Sequence, residues 1–307
     1  MSEIFSARDL IDHPAVFRTD PPVRLGVFGD PVAHSKSPAF HNAALTASGI
    51  PARYAKVHAS ADDVDVAFRA LPAAGFIGAN VTIPHKAAAL ASVDEADDYA
   101  RQSGGVNTIV VEGDRLLGFN TDGPGLVRAI REEFSVDLRD LRVLLIGAGG
   151  GAGRAIAVQC AREGCERLVL VNRTLEKIKS LARELGPLFR TDRLTGPADR
   201  LVSIALDDPA LRDQLDHADI VINATSVGMR RTDPALFPPG WITPNLMIYD
   251  TVYAAGRSRL LEDAAAAGAR TASGLSMLLH QGALSFEIWF NRPAPLEVMR
   301  AALLAAG

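Results

Sequence analysis

Apolar residues follow two rhythms along the first third of this chain. Runs such as VRLGVFG (23–29), ARYAKV (52–57) and FIGANVTI (76–83) are short and rich in β-branched residues, which reads as buried strand. SPAFHNAALTASG (37–49) and ADDVDVAFRAL (61–71) return apolar residues at helical spacing. The alternation predicts βαβ units and a mainly parallel sheet. GGVNTIVVEGDRLLGFNTDG (104–123) breaks the rhythm with two strand-like runs around Glu112-Gly113-Asp114, a hairpin pattern.

A second series begins at LRVLLIGAGGGAGRAIAVQCAREG (141–164), where a wholly apolar strand meets a glycine loop and then a helix. RLVLVNR (167–173), HADIVINATS (217–226) and NLMIYDTVY (245–253) read as later strands, and LVSIAL (201–206) as a strand within the otherwise ambiguous stretch 186–210. GLSMLLHQGALSFEIWF (274–290) and APLEVMRAALLAAG (294–307) are helical patterns. The first 22 residues, ending at Pro21-Pro22, read as an extra helical or loosely docked segment. The expected fold class is α/β, with two α/β units in 307 residues.

Composition adds mostly exclusions. With 48% hydrophobic and 22% charged residues the chain can bury sizeable cores. A net charge of -4, with no Lys/Arg run longer than two, offers no field for nucleic acid. No apolar run reaches the length of a membrane span, and the N-terminus has no apolar signal core. Cys160 and Cys165 make neither a disulfide framework nor a metal site; Cys160 sits in a helical pattern as a packing residue, and a reducing cytoplasm fits. The expected partner is a small molecule, and a homodimer is left open.

The glycine loop carries the first candidate chemistry. Gly147, Gly149 and Gly153 form G-x-G-x-x-x-G between a strand and a helix, with Gly150, Gly151 and Ala152 between them. Such a loop turns tightly and offers free N–H groups to a pyrophosphate. An NAD site would carry an acidic residue at the end of the next strand; here stand Asn172, Arg173 and Thr174, with Lys177 in the following first turn. Thr174 reads as an N-cap. Two cations there suit a 2′-phosphate and hence NADP, although solvated charges on an exposed edge would look the same.

Four polar clusters interrupt the first series. HSKSP (34–38) sets Ser35 and Ser37 before a helix, where Ser37 reads as an N-cap or as a ligand for a small carboxylate. NVTIPHK supplies Asn80 and Thr82, expected on one strand face, and Lys86 at a helix start. GGVNT supplies Asn107, and FNTDG supplies Asn120, Thr121 and Asp122. A lysine at the positive end of a helix dipole loses its proton more readily. Paired with a carboxylate, it could serve a dehydrogenase acting on a small hydroxylated acid.

Taken in order, FGDPVAHSKSP, ANVTIPHK, GGVNT, NTDG, GAGG, NRT, INATSVGM, YD-x-VY and GLSMLLHQGA resemble the shikimate dehydrogenase family from about Val23 to Phe290. The resemblance implies NADPH-dependent reduction of 3-dehydroshikimate to shikimate, a step towards aromatic amino acids. It implies Lys86 and Asp122 as catalytic pair, Ser35 and Ser37 for the substrate carboxylate, and Asn80, Thr82, Asn107 and Gln281 for its ring hydroxyls, with Tyr253 nearby. It implies cofactor contacts from Gly147, Gly149, Gly150, Gly151, Ala152, Asn172, Arg173, Thr174 and Lys177, and from Thr225, Gly274 and Met277 towards the nicotinamide.

It also implies a substrate domain over 1–122, with 1–22 as an extension, completed by 274–307. A Rossmann-type NADP domain would span 123–273. The glycine loop has one residue more than the family pattern, which leaves the third glycine's role open. AAGRSRLL after Tyr253 lacks the family's threonine-proline. Quinate/shikimate dehydrogenases are the alternative within the family. A non-catalytic quinate- or shikimate-sensing relative is disfavoured because Lys86 and Asp122 are both present.

Overall fold

The first series of apolar runs becomes seven strands: β1 (Ile4–Ser6), β2 (Val23–Gly29), β3 (Arg53–His58), β4 (Gly78–Val81), β5 (Glu95–Ala96), β6 (Thr108–Glu112) and β7 (Arg115–Phe119). The computed structural model describes residues 4–189, 199–253 and 257–306. The seven strands form one sheet in the order β1-β3-β2-β4-β6-β7-β5. Its pairings are parallel except where β6 runs against β4 and β7. The β6–β7 hairpin closes at Gly113, whose φ of 61° takes the left-handed turn the sequence asked for.

The second series gives β8 (Arg142–Ile146), β9 (Arg167–Asn172), β10 (Leu201–Ala205), β11 (Ile220–Asn223), β12 (Met247–Asp250) and β13 (Arg270–Ser273). They form an all-parallel sheet in the order β10-β9-β8-β11-β12-β13. Leu144, Ile146, Val169, Val171, Val221 and Ile248 supply its buried apolar face. This is the doubly wound order of a dinucleotide-binding sheet, whose direction reverses between β8 and β11, so a ligand crevice is expected beyond the carboxyl ends of those two strands. The chain is thus α/β in both halves.

Two compact units result: Met1–Thr121 with Leu279–Gly307, and Asp122–Leu278. Asp122 therefore opens the second unit, where the sequence reading had it close the first. The second crossing falls inside helix Gly274–Phe290 rather than before it, because the first turn of that helix is bonded to β12. The N-terminal segment differs more. Residues 4–6 add a parallel strand to β3, and Ser6 and Asp9 form a reciprocal capping box that starts helix Ala7–Asp12. Phe5, Leu10 and Phe17 are buried, Phe17 packing 4.6 Å from Phe5 and 5.3 Å from Phe76. Three such side chains contribute several kcal/mol at roughly 1.5–3 each, so the segment is docked. Part of 186–210 and of 254–261 lies outside the described residues. No helix among the described residues is long and apolar enough to cross a membrane.

Candidate active site

In the first unit, Lys86 is the first residue of helix Lys86–Ser92, as the break at Pro84 predicts. Its backbone is tied down: the Val106 N–H donates to the Lys86 carbonyl at 2.9 Å. Gly105 makes this approach feasible, since a Cβ there would come within 3.0 Å of Lys86 Cβ. GGVNT therefore runs directly beneath the lysine. Asn120 Nδ2 holds the Gly105 carbonyl at 2.7 Å, and the Thr121 N–H donates to Asn107 Oδ1 at 2.8 Å. Three of the four sequence clusters thus converge on one backbone junction.

Asn107 is 2% exposed, and its amide nitrogen donates to Thr121 Oγ1 at 2.9 Å and to Gln281 Oε1 at 3.4 Å. Asn80 is bonded into the same cluster. Its Oδ1 accepts from the Tyr54 hydroxyl at 2.8 Å, and its Nδ2 donates to the Asn107 carbonyl, Thr108 Oγ1 and Ser285 Oγ. Both ends of the amide are committed inside the unit, which makes Asn80 a brace for Asn107. β4 ends at Val81, and Thr82 lies one residue beyond it beside Gly29.

The serine loop precedes helix Ser37–Ala47. Ser37 is its first residue, not its cap; the cap position is Lys36, and Ser35 Oγ accepts the Ser37 N–H at 3.3 Å. Ser37 is buried and Ser35 half-buried. Lys56 was not visible as a site-supporting residue in the sequence. It donates from β3 to the Ala33 carbonyl at 2.5 Å, steadying the same loop, and burial lowers its pKa.

Asp122 begins helix Asp122–Phe134 and is buried. A carboxylate in a first turn is favoured by the helix dipole, and Pro124 fits the first turn without losing a hydrogen bond. Tyr253 lies in the same unit; burial and then the Asp122 charge raise its hydroxyl pKa.

The glycine loop sits at the crevice end of β8. Gly147 has φ +86°, and a Cβ there would meet Thr225 Cγ2 at 2.7 Å and the Ala224 backbone at 2.9 Å, just past β11. Thr225 is in turn fixed by Asn223 Oδ1, which accepts its N–H at 3.0 Å and its hydroxyl at 2.7 Å. Gly149 packs against Asn172 and Lys177, within 3.0 and 3.1 Å of an added Cβ. Gly153 would set a Cβ 2.0 Å from the Gly147 carbonyl. This settles the third glycine's role as close packing of helix Gly151–Glu163 on the loop, which the extra residue leaves intact.

By contrast a Cβ at Gly151 meets nothing within 4 Å, and one at Gly150 only the Gly147 carbonyl at 3.5 Å. The loop thus leaves open space beside Gly150 and Gly151 at the start of helix Gly151–Glu163. Asn172 Nδ2 holds the Thr174 carbonyl at 2.9 Å, shaping the turn that presents Arg173; both Arg173 and Lys177 are exposed. Thr174 occupies the N-cap of helix Leu175–Leu185 without a side-chain cap bond.

Further along the sheet, Gly274 passes so close to Thr251 that a Cβ would lie 2.0 Å from its carbonyl. The Met277 N–H donates to the buried Tyr249 hydroxyl at 3.0 Å. Burial raises the pKa of Asp250, opposed by hydrogen bonds from Ser258, Val252 N–H and Asn223. That carboxylate holds the loop after β11 through Asn223 and was not singled out in the sequence beyond its place in YD-x-VY.

Comparison with known proteins identifies the family. Residues 27–109 match the shikimate dehydrogenase substrate binding domain, 128–231 the shikimate / quinate 5-dehydrogenase family, and 274–304 the shikimate 5′-dehydrogenase C-terminal domain. The chain is 40% identical over 282 residues to the shikimate dehydrogenase (NADP(+)) of Methanopyrus kandleri, covering 91% of this chain and 94% of that one. The crystal structure of shikimate 5-dehydrogenase from Thermus thermophilus, in complex with NADP(H) and shikimate, superposes with a TM-score of 0.79. It is 32% identical, and the match covers 93% of this chain and 100% of that one. Quinate dehydrogenase from Corynebacterium glutamicum, in complex with NAD, gives 0.81 at 28% identity, covering 92% and 99%. With relatives this similar over nearly its whole length, the chain belongs to the shikimate dehydrogenase family.

Proposed function

We propose that this chain is an NADP-dependent shikimate dehydrogenase, an oxidoreductase that interconverts shikimate and 3-dehydroshikimate in the cytoplasmic route to aromatic amino acids. The observation that carries the reading is the junction at Lys86, where the carbonyl of the lysine is bonded to the segment presenting Asn107, and Asn107 to the residue preceding Asp122. Lys86 takes the alcohol proton as shikimate is oxidised and returns one in the reverse direction, with Asp122 as its partner carboxylate. Ser35 and Ser37 hold the substrate carboxylate. Asn107, Gln281 and Thr82 face the ring hydroxyls with Tyr253 nearby, and Asn80 braces Asn107.

When bound, the nicotinamide accepts or donates the hydride. In the second unit Gly147, Gly149, Gly150, Gly151 and Ala152 cradle the pyrophosphate. Arg173 and Lys177 offer two cations to a 2′-phosphate, with Asn172 and Thr174 shaping their turn. No acidic residue stands at the end of β9 to take a bare ribose, which favours NADP over NAD. Thr225, Gly274 and Met277 line the nicotinamide end.

Initial rates with shikimate and with quinate, each with NADP and with NAD, test the proposal. Shikimate with NADP should give the highest kcat/KM by at least about tenfold, equivalent to about 1.4 kcal/mol. Equal or better turnover of quinate with NAD would overturn it in favour of a quinate dehydrogenase like the Corynebacterium relative.

A further inference from the structure

Ser285 is fully buried on helix Gly274–Phe290 and stands at the centre of the polar cluster behind Asn107. Its Oγ lies 2.9 Å from Asn80 Nδ2, 2.8 Å from Thr108 Oγ1, 3.4 Å from Thr121 Oγ1 and 3.0 Å from the Gln281 carbonyl. Backbone groups fix the orientation of the two amides, and the hydroxyls between them follow.

The Thr121 N–H can only donate, so the Asn107 atom it meets is the oxygen. The Asn107 carbonyl can only accept, so the Asn80 atom it meets is the amide nitrogen. Thr108 Oγ1 sits between these two, 3.2 Å from Asn80 Nδ2 and 2.9 Å from Asn107 Oδ1. It must accept from the first and give its one proton to the second. With that proton placed, Ser285 is the donor to Thr108 over 2.8 Å, and its own oxygen accepts from Asn80. The Gln281 carbonyl, one turn back on the same helix, shares that proton over its longer contact. Every bond of the chain points the same way, from Tyr54 through Asn80, Ser285 and Thr108 to Asn107 Oδ1.

Asn107 is left with its amide N–H groups on the opposite edge, aimed at Thr121 Oγ1 and Gln281 Oε1. Turning the amide over would set its N–H groups against the Thr121 N–H and the Thr108 hydroxyl proton. Chains of hydrogen bonds in a buried setting reinforce one another, so this reversal is disfavoured as a unit.

We propose that Ser285 is a positioning residue that locks Asn107 as a hydrogen-bond donor towards the substrate, so that the Asn107–Gln281 pair reads a hydroxyl. The amide nitrogen and the glutamine oxygen are 3.4 Å apart, a long contact that a ligand hydroxyl can exploit by accepting from one and donating to the other. A hydrogen atom or an ether in its place fulfils only part of that pattern. This deepens the shikimate reading and rests on it.

The test is steady-state kinetics of Ser285→Ala and of the wild type, with shikimate and with the two analogues that each lack one ring hydroxyl not oxidised in the reaction. The variant should raise KM for shikimate about tenfold, with kcat and KM for NADP within about twofold, as expected for loss of ground-state binding alone. With one of the two analogues the penalty should shrink below about threefold, because the hydroxyl that senses Asn107 is already gone. An unchanged shikimate KM, or the same penalty with both analogues, overturns the assignment. A neutron map of deuterated wild-type crystals reads the bond directions without any variant. Deuterium on Ser285 Oγ should point to Thr108 Oγ1 and deuterium on Thr108 to Asn107 Oδ1. The reverse order, or a Ser285 deuterium given wholly to the Gln281 carbonyl, overturns the proposal. A wild type that fails to oxidise shikimate refutes the functional reading instead, while the map still decides the role of Ser285.

Discussion

His41 offers a test of how the first unit responds to acid. It lies on helix Ser37–Ala47 with no exposed surface, its ring stacked on Tyr54 at 4.4 Å and 10°, with Phe40 at 4.6 Å and Trp289 at 5.3 Å. Neither ring nitrogen has a hydrogen-bond partner among the described residues. Burial pushes its pKa down to about 3, and the nearby Asn80 amide offsets this only slightly. The folded state thus holds the neutral ring, whereas the unfolded chain protonates it near pH 6.5.

With the folded pKa depressed, the stability from this group is complete above about pH 6.5 and is lost as pH falls from there towards 3. At pH 5 nearly every unfolded His41 carries a proton and almost no folded one does. The loss between pH 7 and pH 5 is about 2 kcal/mol, approaching a limiting slope of about 1.4 kcal/mol per pH unit. The neighbouring Tyr54, whose own pKa burial raises well above the ordinary value, stays neutral throughout this window.

His41→Phe keeps a ring on Tyr54 and abandons no hydrogen bond, so it isolates the proton. Urea unfolding at pH 7, 6 and 5 should show the wild type losing about 2 kcal/mol more than the variant. Parallel pH profiles for the two proteins, or an NMR titration of the native His41 centred near 6.5, would refute the reasoning.

Other residues make separate demands. Lys86→Ala should lower kcat by about 10²–10⁴-fold, the range for a lost acid–base group, with NADP affinity by fluorescence titration unchanged; a near wild-type rate removes the lysine from the chemistry. Arg173→Ala should raise KM for NADP at least about tenfold and KM for NAD less than about twofold, and equal losses would contradict a 2′-phosphate contact. Gly153→Ala must move backbone, since its Cβ would lie 2.0 Å from the Gly147 carbonyl. It should cost at least about 2 kcal/mol in thermal or urea unfolding and weaken NADP, whereas Gly151→Ala, with nothing within 4 Å, should be thermally silent.

Strands with long apolar runs were legible because burial on both faces writes itself into the sequence. β8 and β9 read directly from LRVLLIG and RLVLVNR. β1, β5 and β13 did not, for the opposite reason: IFS, EA and RTAS are two to four residues long, and what makes them strands is the neighbour each pairs with. The docked N-terminus did leave one local signal, Ser6 and Asp9 at capping-box spacing before a helical turn, which outweighs the polar look of the segment.

The site divides along a similar line. The helix start at Lys86 was legible because Pro84 punctuates the chain and alanines follow it, and Gly147 and Gly153 because only glycine fits their close backbone approaches. For Asn80, alternation gives a face, but not the bonds its amide makes within the unit. Ser285 was invisible for the converse reason: a lone serine in an apolar helical run resembles a solvated or packing residue. Yet it stands four residues after Gln281, on the same stripe of the helix, with its Oγ 3.0 Å from the Gln281 carbonyl. A polar residue one turn beyond Gln281, fully buried with apolar neighbours, has to find partners inside. Here those partners are Asn80 and Thr108, which also contact Asn107, so under the role proposed for Ser285 the recognition chemistry of the site rests on a residue that never faces it.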